Sequence, residues 1–259
     1  MDTTLISRFA PIIRNLTAAE LKGTPALRQK LTIAEDENIQ ICYAPFEYIN
    51  PTARVVLVGI TPGNQQMVSA VTEARRQLDA GRSLSEAVIA AKRVGAFSGE
   101  IRGHLVNLLD HIGLHRWLSI DSCTALFGSA SALVQTTSVL RNPVFYRGKD
   151  YNGTPNMTRH PLLKAQFTEQ FLQDVRALPN AVFVPLGDKV SAALEYLADQ
   201  GHLDRNRVLA GLPHPSPQNI ERVRYFLGKK ERSALSTKTA PDKIDAAREA
   251  LREQVRALA

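Results

Sequence analysis

Residues 55–63 read Val-Val-Leu-Val-Gly-Ile-Thr-Pro-Gly, and this segment is the clearest indication of the fold class. The run 55–58 is continuously apolar and mostly β-branched, which is the pattern of a strand buried on both faces of a parallel sheet. Gly59 and the residues that follow it predict a sharp turn at the carboxyl end of that strand. Because ligands of open α/β sheets bind at the carboxyl ends of the strands, this turn is a candidate site.

Three further strands are predicted, over 132–139, 181–186 and 207–210, because each is a short apolar run that leads into a glycine or polar loop. Helices are predicted over 161–177 and 188–200, between these strands. Strands that alternate with helices favour a parallel arrangement. The sequence therefore predicts an α/β fold with three layers, α/β/α, around a central and mostly parallel four-stranded sheet.

Local signals predict where several helices begin and end. Thr17 with Glu20, and Ser83 with Glu86, have the spacing of capping boxes, in which each side chain accepts the other residue's backbone N–H. Further boundaries follow from the known preferences at helix ends. They are Gly81 and Gly113 as C-terminal stops and Asp188 as an N-cap.

The domain organisation is predicted to be simple. One domain covers 1–228, with a helical N-terminal segment over 3–30 and a helical insertion over 64–94. Residues 229–259 predict a polar linker and a final helix that packs back on the body through an apolar stripe. The stripe consists of Ile244, Ala247, Leu251, Val255 and Leu258.

Composition limits the class of protein. The chain has 259 residues, with 44% hydrophobic and 22% charged, which is ordinary for a globular protein. The two cysteines, Cys42 and Cys123, are too few for a disulfide framework or a four-cysteine zinc or iron–sulfur site. No apolar run reaches the roughly 18 residues of a membrane span, and no secretory signal precedes the first helix, so we expect a cytoplasmic protein. The net charge of +7 favours a polyanionic partner such as nucleic acid.

A second loop stands out at 211–219, which reads Gly-Leu-Pro-His-Pro-Ser-Pro-Gln-Asn. Its three prolines leave the loop little conformational freedom. The turn at 59–63 together with this loop resembles the uracil-DNA glycosylase superfamily, whose members place a proline turn after the first core strand and a His-Pro-Ser-Pro-type loop after the last. The segments 97–103, 134–139 and 182–187 are similar to further family motifs, so the resemblance covers about 40–228.

The resemblance implies catalytic roles. Phe97 matches the residue that stacks on a flipped base, although a core position would also suit it. His214 matches the donor to the departing base, and a loop histidine bonded to backbone would fit the stiff, proline-flanked position as well. The family's Asp or Asn after the first strand is Thr61 here, which is a poor base. Glu100 matches a water-activating Asp of one branch, so we expect Glu100 to activate water with Thr61 or Asn64 as helper. An ordinary solvated glutamate at a helix start fits Glu100 equally well.

The same resemblance implies contacts to base and DNA. Ser138 stands where the family has its uracil-reading asparagine, and a serine is smaller and offers one hydroxyl. Together with the insertion at 64–94, this favours a pyrimidine bulkier than uracil. The other expected base contacts are Thr137, Gly59 and Ile60, and the expected DNA contacts are Gly63, Ser216, Gln218, Asn219, Arg222 and Arg224.

The predicted function is that of a monomeric, monofunctional DNA N-glycosylase that flips out a base, excises it and leaves an abasic site. The expected substrate is a modified pyrimidine, such as a hypermodified cytosine of phage DNA, which implies a role in antiviral defence. The alternatives are an ordinary uracil-DNA glycosylase of base-excision repair and a non-catalytic DNA-binding module on the same fold. A nucleotide-binding protein is disfavoured because no phosphate-binding glycine motif is present. We expect no cofactor and no metal site.

Overall fold

A computed structural model describes residues 4–95 and 100–258, with the backbone alone described at Glu100. The helices in this part of the chain are α1 (Thr4–Arg14), α2 (Pro25–Lys30), α3 (Asn64–Asp79), α4 (Leu84–Gly95), α5 (Glu100–His111), α6 (Leu114–Trp117), α7 (Pro161–Gln166), α8 (Leu172–Ala177), α9 (Asp188–Asp199), α10 (Ile220–Phe226) and α11 (Pro241–Ala257). The strands are β1 (Thr32–Glu35), β2 (Ile39–Cys42), β3 (Val55–Gly59), β4 (Val134–Ser138), β5 (Val144–Tyr146), β6 (Lys149–Asp150) and β7 (Val182–Pro185).

The chain is a mixed α/β protein, as predicted, and it forms two compact units that alternate along the sequence. The first unit consists of residues 4–49, 60–95 and 137–177. The second consists of residues 50–59, 100–136 and 178–258. Each unit has its own hydrophobic core. Within the described ranges, none of the helices has the length and apolar character that a membrane span requires.

The parallel sheet has the strand order β4-β3-β7, and β3, β7 and residues 134–136 of β4 belong to the second unit. Strand β3 is the predicted run at 55–58, and it pairs in parallel with β7 so that Val55 lies opposite Val182 and Val58 opposite Pro185. The predicted fourth strand at 207–210 is not formed as a strand. It contributes one parallel bridge, between Val208 and Phe183, because a 3₁₀ turn over Arg205–Arg207 occupies the chain just before it.

Helix α11 belongs to the core of the second unit. Its apolar stripe buries Leu251 and Val255 in the same cluster as β3 and β7. Gly211, with a φ of +117°, packs against this helix so closely that a Cβ there would lie 2.9 Å from the Cβ of Ala247. The final helix therefore supports the start of the loop that carries His214.

The first unit contains an antiparallel sheet that sequence patterns did not predict. Its order is β1-β2-β5-β6, and β2 pairs with β5 although about a hundred residues separate them in the chain. Its core is formed mainly by α1, α3 and α4 packed with Tyr43, Phe46 and Phe145. The predicted helical insertion at 64–94 is thus α3 and α4, which contribute much of this core.

Both predicted capping boxes are present. The Thr17 N–H donates to Glu20 at 2.8 Å and the Glu20 N–H to the Thr17 hydroxyl at 3.2 Å, and Ser83 and Glu86 make the same pair of bonds at 2.9 and 3.3 Å. Asp188 was predicted as an N-cap, which is wrong by one position, because the cap is Gly187 and Asp188 is the first residue of α9.

Helix positions elsewhere agree with prediction. The helix predicted over 161–177 is continuous, but a π-helical turn over Phe167–Phe171 joins α7 to α8. Gly81 and Gly113 both have a positive φ just beyond a helix.

Candidate active site

Two glycine turns lie side by side at the carboxyl edge of the parallel sheet. Gly59 ends β3, and Leu186 and Gly187 follow β7. The N–H of Leu186 donates to the carbonyl of Val58 at 2.9 Å, so β3 and β7 end side by side at this edge of the sheet. This edge of the second unit is where an open α/β sheet offers space to a ligand.

His214 lies on one of these turns. Gly187 has a φ of +93° and a ψ of 161°, a conformation essentially restricted to glycine. A Cβ at this position would lie 3.3 Å from the Cβ of His214 and 3.6 Å from its Cδ2. Glycine thus provides both the turn and the room that the imidazole occupies.

The hydrogen bonds of His214 define its tautomer. The backbone N–H of Ser216 donates to Nδ1 of His214 at 3.2 Å, so Nδ1 must be unprotonated. The hydrogen of the neutral ring is therefore on Nε2. Partial burial lowers the pKa of His214, which favours this neutral form. The ring is thus a neutral donor that presents Nε2–H.

The loop after His214 is held by a chain of side-chain hydrogen bonds. The Asn219 side-chain amide donates to the Ser216 hydroxyl at 3.0 Å. The Arg222 guanidinium donates to the side-chain Oδ1 of Asn219 at 3.4 Å and to the Lys238 backbone carbonyl at 3.0 Å. Arg222 therefore connects the loop to residues 229–240, which we call the strap. These hydrogen bonds involve three of the predicted DNA contacts, Ser216, Asn219 and Arg222.

The other two predicted DNA contacts of this region are more accessible. Gln218 is exposed on the 3₁₀ turn Pro217–Asn219. Arg224 is exposed on α10, and its side chain makes no hydrogen bond or ion pair to any residue within the described ranges. Its guanidinium is therefore available to an anionic ligand.

The strap is anchored by one carboxylate. Glu221 accepts from the hydroxyls of Ser236 and Thr239, each at 2.6 Å, and from the Lys230 ammonium at 2.8 Å. The Lys230 ammonium, together with the hydroxyls, lowers the pKa of Glu221 to about 2. The predicted linker is therefore held to α10 and is not a loose connection.

In the first unit, the turn after β3 lies beside the segment after β4. The Leu140 N–H donates to the Ile60 carbonyl at 3.0 Å, and the Thr61 hydroxyl donates to the Asn142 carbonyl at 2.9 Å. The Thr61 oxygen also accepts the Val144 N–H at 3.1 Å. The hydroxyl of Thr61 thus donates one hydrogen bond to the backbone and accepts one from it. Its second lone pair remains available to accept a hydrogen bond from a water molecule.

The predicted base contacts after β4 differ in availability. The Thr137 hydroxyl is buried and donates to the Asp174 carboxylate at 2.5 Å. Ser138, the next residue, is only partly buried. Of these two hydroxyls, the one of Ser138 is therefore better placed to face a ligand.

Gly63 and Asn64 form the start of α3. The Asn64 backbone N–H donates to Asp150 at 3.1 Å, and its side-chain amide donates to the Gly23 carbonyl at 3.3 Å. A Cβ at Gly63 would lie 2.9 Å from Oδ2 of Asp150. A carboxylate of the protein itself therefore occupies this helix N-terminus, and the side-chain N–H of Asn64 is already bonded to the Gly23 carbonyl.

Sequence reasoning missed a buried charged network in the first unit. Arg141 donates to Asp174 at 2.6 Å, and Lys92 donates to the carbonyls of Phe46 and Tyr48 at 2.9 and 2.8 Å. Burial lowers the pKa of Lys92 to about 8.

Glu47 completes this network, and burial raises its pKa to about 6. Its Oε1 accepts the Tyr43 hydroxyl at 2.7 Å, whereas its Oε2 is buried without a partner in the described chain. No spacing in the sequence marks these residues, because the charges come from four distant segments. Only the run of consecutive apolar residues that flanks Glu47 could have indicated burial.

Two predicted residues fall outside this description. Phe97 lies between the described ranges, and of Glu100 only the backbone, at the start of α5, is described. Their predicted roles stay predictions. Within the described ranges, no group of three or more His, Cys, Asp or Glu side chains could hold a metal ion.

The fold and this edge define an α/β protein whose parallel sheet carries a histidine loop at its carboxyl end. The sequence is 32% identical over 234 residues to the uncharacterized protein YoxB of Bacillus subtilis (strain 168), and the match covers 89% of this chain and 91% of YoxB. The chain belongs to the YoxB family. No family model matches the sequence, and no solved structure matches it.

Proposed function

We propose that the protein is a monofunctional DNA N-glycosylase that acts as a monomer in the cytoplasm. It flips a nucleobase out of the duplex, hydrolyses the bond between base and sugar and leaves an abasic site. In this proposal, the three parallel strands correspond to three strands of the central sheet of the uracil-DNA glycosylase fold. The segment that bridges to β7 through Val208 takes the place of the fourth strand. The observation that carries it is the fixed Nε2–H of His214 at the carboxyl edge of this sheet.

The chemistry follows from where charge moves. As the bond between C1′ and the base nitrogen breaks, its electron pair leaves with the base, and a donor aimed at the base carbonyl stabilises the growing anion by a few kcal/mol. His214 in its neutral form supplies that donor without becoming a charged group. Water adds to C1′, its proton passes to Glu100, and the released base takes a proton from solvent.

The proposed substrate is a modified pyrimidine rather than uracil. Ser138 is a short residue, where an asparagine would match the edge of uracil. A hypermodified cytosine of phage DNA fits this reasoning, and antiviral defence is the corresponding role. Ordinary uracil excision in base-excision repair is the alternative within the same chemistry.

A non-catalytic DNA-binding module is the second candidate. The observation that favours it is that the hydroxyls of Thr61 and Thr137 are already bonded inside the first unit. Such a protein would bind DNA through Arg224 and its neighbours and release no base.

One experiment separates these functions. Duplexes that contain uracil, cytosine or hypermodified phage cytosine are incubated with the protein, free bases are identified by mass spectrometry, and abasic sites are revealed by alkali. We expect release of the modified base. Release of uracil alone would establish the repair function, and binding without any release would establish the module.

Variants of His214 test the mechanism. In His214→Gln, the amide N–H lies close to the position of the imidazole Nε2–H, whereas in His214→Asn it lies close to the position of Nδ1. His214→Gln should therefore keep more activity than His214→Asn. His202→Ala, at an exposed histidine of the same unit, is the control and should excise at the wild-type rate. Equal activity of all three variants would contradict the role of His214.

A further inference from the structure

Two histidines contact opposite ends of a single peptide group. His104, on α5, has its Nδ1 at 3.0 Å from the carbonyl oxygen of Pro215. The N–H of the same peptide belongs to Ser216 and donates to Nδ1 of His214. Because the peptide is trans, its C=O and N–H point in opposite directions, so it bridges the two rings.

The protonation of His104 at Nδ1 follows from its partner. A carbonyl oxygen only accepts hydrogen bonds, so Nδ1 of His104 carries the hydrogen. The sequence of bonds therefore runs from His104 Nδ1–H to the Pro215 carbonyl, and from the Ser216 N–H to His214 Nδ1. All donors point the same way along this chain.

Consecutive hydrogen bonds that are aligned in this way strengthen one another. A donor at the carbonyl polarises the peptide and makes its N–H a better donor, by roughly 10–30% per bond. A better N–H donor binds the lone pair of His214 Nδ1 more firmly. A hydrogen on that nitrogen, from the other tautomer or from protonation, would face the N–H and lose the bond.

We propose that His104 is a positioning residue, which acts through the Pro215–Ser216 peptide to keep His214 in the tautomer and orientation that present Nε2–H. It takes no part in the bond changes itself. The relevance to catalysis rests on the proposed function, whereas the effect on the His214 ring does not. Nothing in the spacing of 104 and 214 along the sequence indicates this link.

The test uses two variants of the full chain. His104→Asn has an amide N–H near the place of Nδ1 and can still donate to Pro215, whereas His104→Leu cannot. Ring nitrogen shifts from ¹⁵N NMR report the tautomer of His214. We expect the Nε2–H form in wild type and in His104→Asn, and a mixture of tautomers in His104→Leu. His115→Leu is the matched control and should leave the His214 signals unchanged.

Activity provides the second measurement. We expect kcat for base release to fall by up to about 100-fold in His104→Leu because His214 is then misplaced, with DNA affinity unchanged and activity recovered in His104→Asn. If His104→Asn is as inactive as His104→Leu, His104 acts through its own Nε2 and the positioning role is wrong.

The NMR result decides the proposal even without activity. A folded His104→Leu protein, with the near-UV circular dichroism of wild type, in which His214 stays wholly in the Nε2–H form would overturn it. If wild type releases no base but His104→Leu still shifts the tautomer, the positioning holds and the glycosylase function fails.

Discussion

Gly187 and His214 pack so closely that any side chain at 187 would press on the imidazole, with 3.3 Å between the two Cβ positions. We predict that Gly187→Ala moves His214, abolishes most base release and destabilises the fold by about 1–3 kcal/mol, because its backbone conformation is restricted to glycine. Urea unfolding and base release measure the two effects.

Gly81→Ala is the matched control for this change. Gly81 also has a positive φ, of +74°, but a Cβ there would meet nothing within 4 Å. We expect a loss of stability without a loss of activity. Unimpaired activity of Gly187→Ala would show that His214 tolerates displacement or has no role.

Glu47→Gln should stabilise the protein at high pH. The folded-state pKa of Glu47 is raised from 4.5 to about 6, so the folded protein takes up this proton before the unfolded chain does as the pH falls. The burial cost of the carboxylate is fully present above pH 6 and disappears toward pH 4.5. Glutamine keeps the bond from Tyr43, so we expect a gain of up to about 2 kcal/mol at pH 8 and little change at pH 4.5.

Urea unfolding at the two pH values checks this prediction. Glu37→Gln, at an exposed position between β1 and β2, removes the same charge without burial and should change stability little at either pH. Destabilisation by Glu47→Gln at pH 8 would mean that attraction from Lys92 and Arg141 outweighs the burial cost.

Glu221→Gln should release the strap. The carboxylate has its pKa lowered to about 2, so its stabilising effect is present above pH 4.5 and is lost as the pH falls toward 2. The variant should lose the strap contacts at neutral pH, and trypsin should cleave after Arg232 and Lys238 faster than in wild type. Glu231→Gln, within the strap, is the control of equal charge, and equal cleavage of both variants would contradict the anchoring role.

Arg224→Ala should weaken DNA binding through charge alone. Its exposed guanidinium can neutralise one phosphate, so the variant should reduce the slope of log Kobs against log salt by about 1, irrespective of sequence. Arg256→Ala changes an exposed arginine of α11 and should leave the slope unchanged. Fluorescence anisotropy over a salt series measures the slopes of the two variants. Equal slopes for Arg224→Ala and wild type would show that Arg224 does not contact DNA.

Local sequence signals predicted local structure well. The capping boxes at Thr17 and Ser83 need only residues three positions apart, and the run at 55–58 is apolar enough to define a buried strand by itself. The antiparallel sheet was missed because β5 and β6 are two or three residues long and depend on pairing with β2, far away in the chain. Pairing over such a distance leaves no periodic pattern.

The candidate site was only partly accessible to sequence reasoning. The loop at 211–219 drew attention to His214, but the tautomer depends on a single N–H of Ser216, and the contact with His104 depends on how α5 packs. The charged residues of the first unit were not recognised as buried. Lys92 and Asp174 are of residue types that usually lie at the surface, and only the fold shows that both are buried.

Because Gly211 packs against Ala247, the loop that carries His214 gains one of its supports only when α11 docks. The loop with His214 emerges from the ribosome well before α11, and until that helix docks the loop lacks one of its supports. A nascent chain that stops before α11 should therefore carry the histidine but hold it imprecisely. Under the proposed function, base release would then require that α11 has formed and docked.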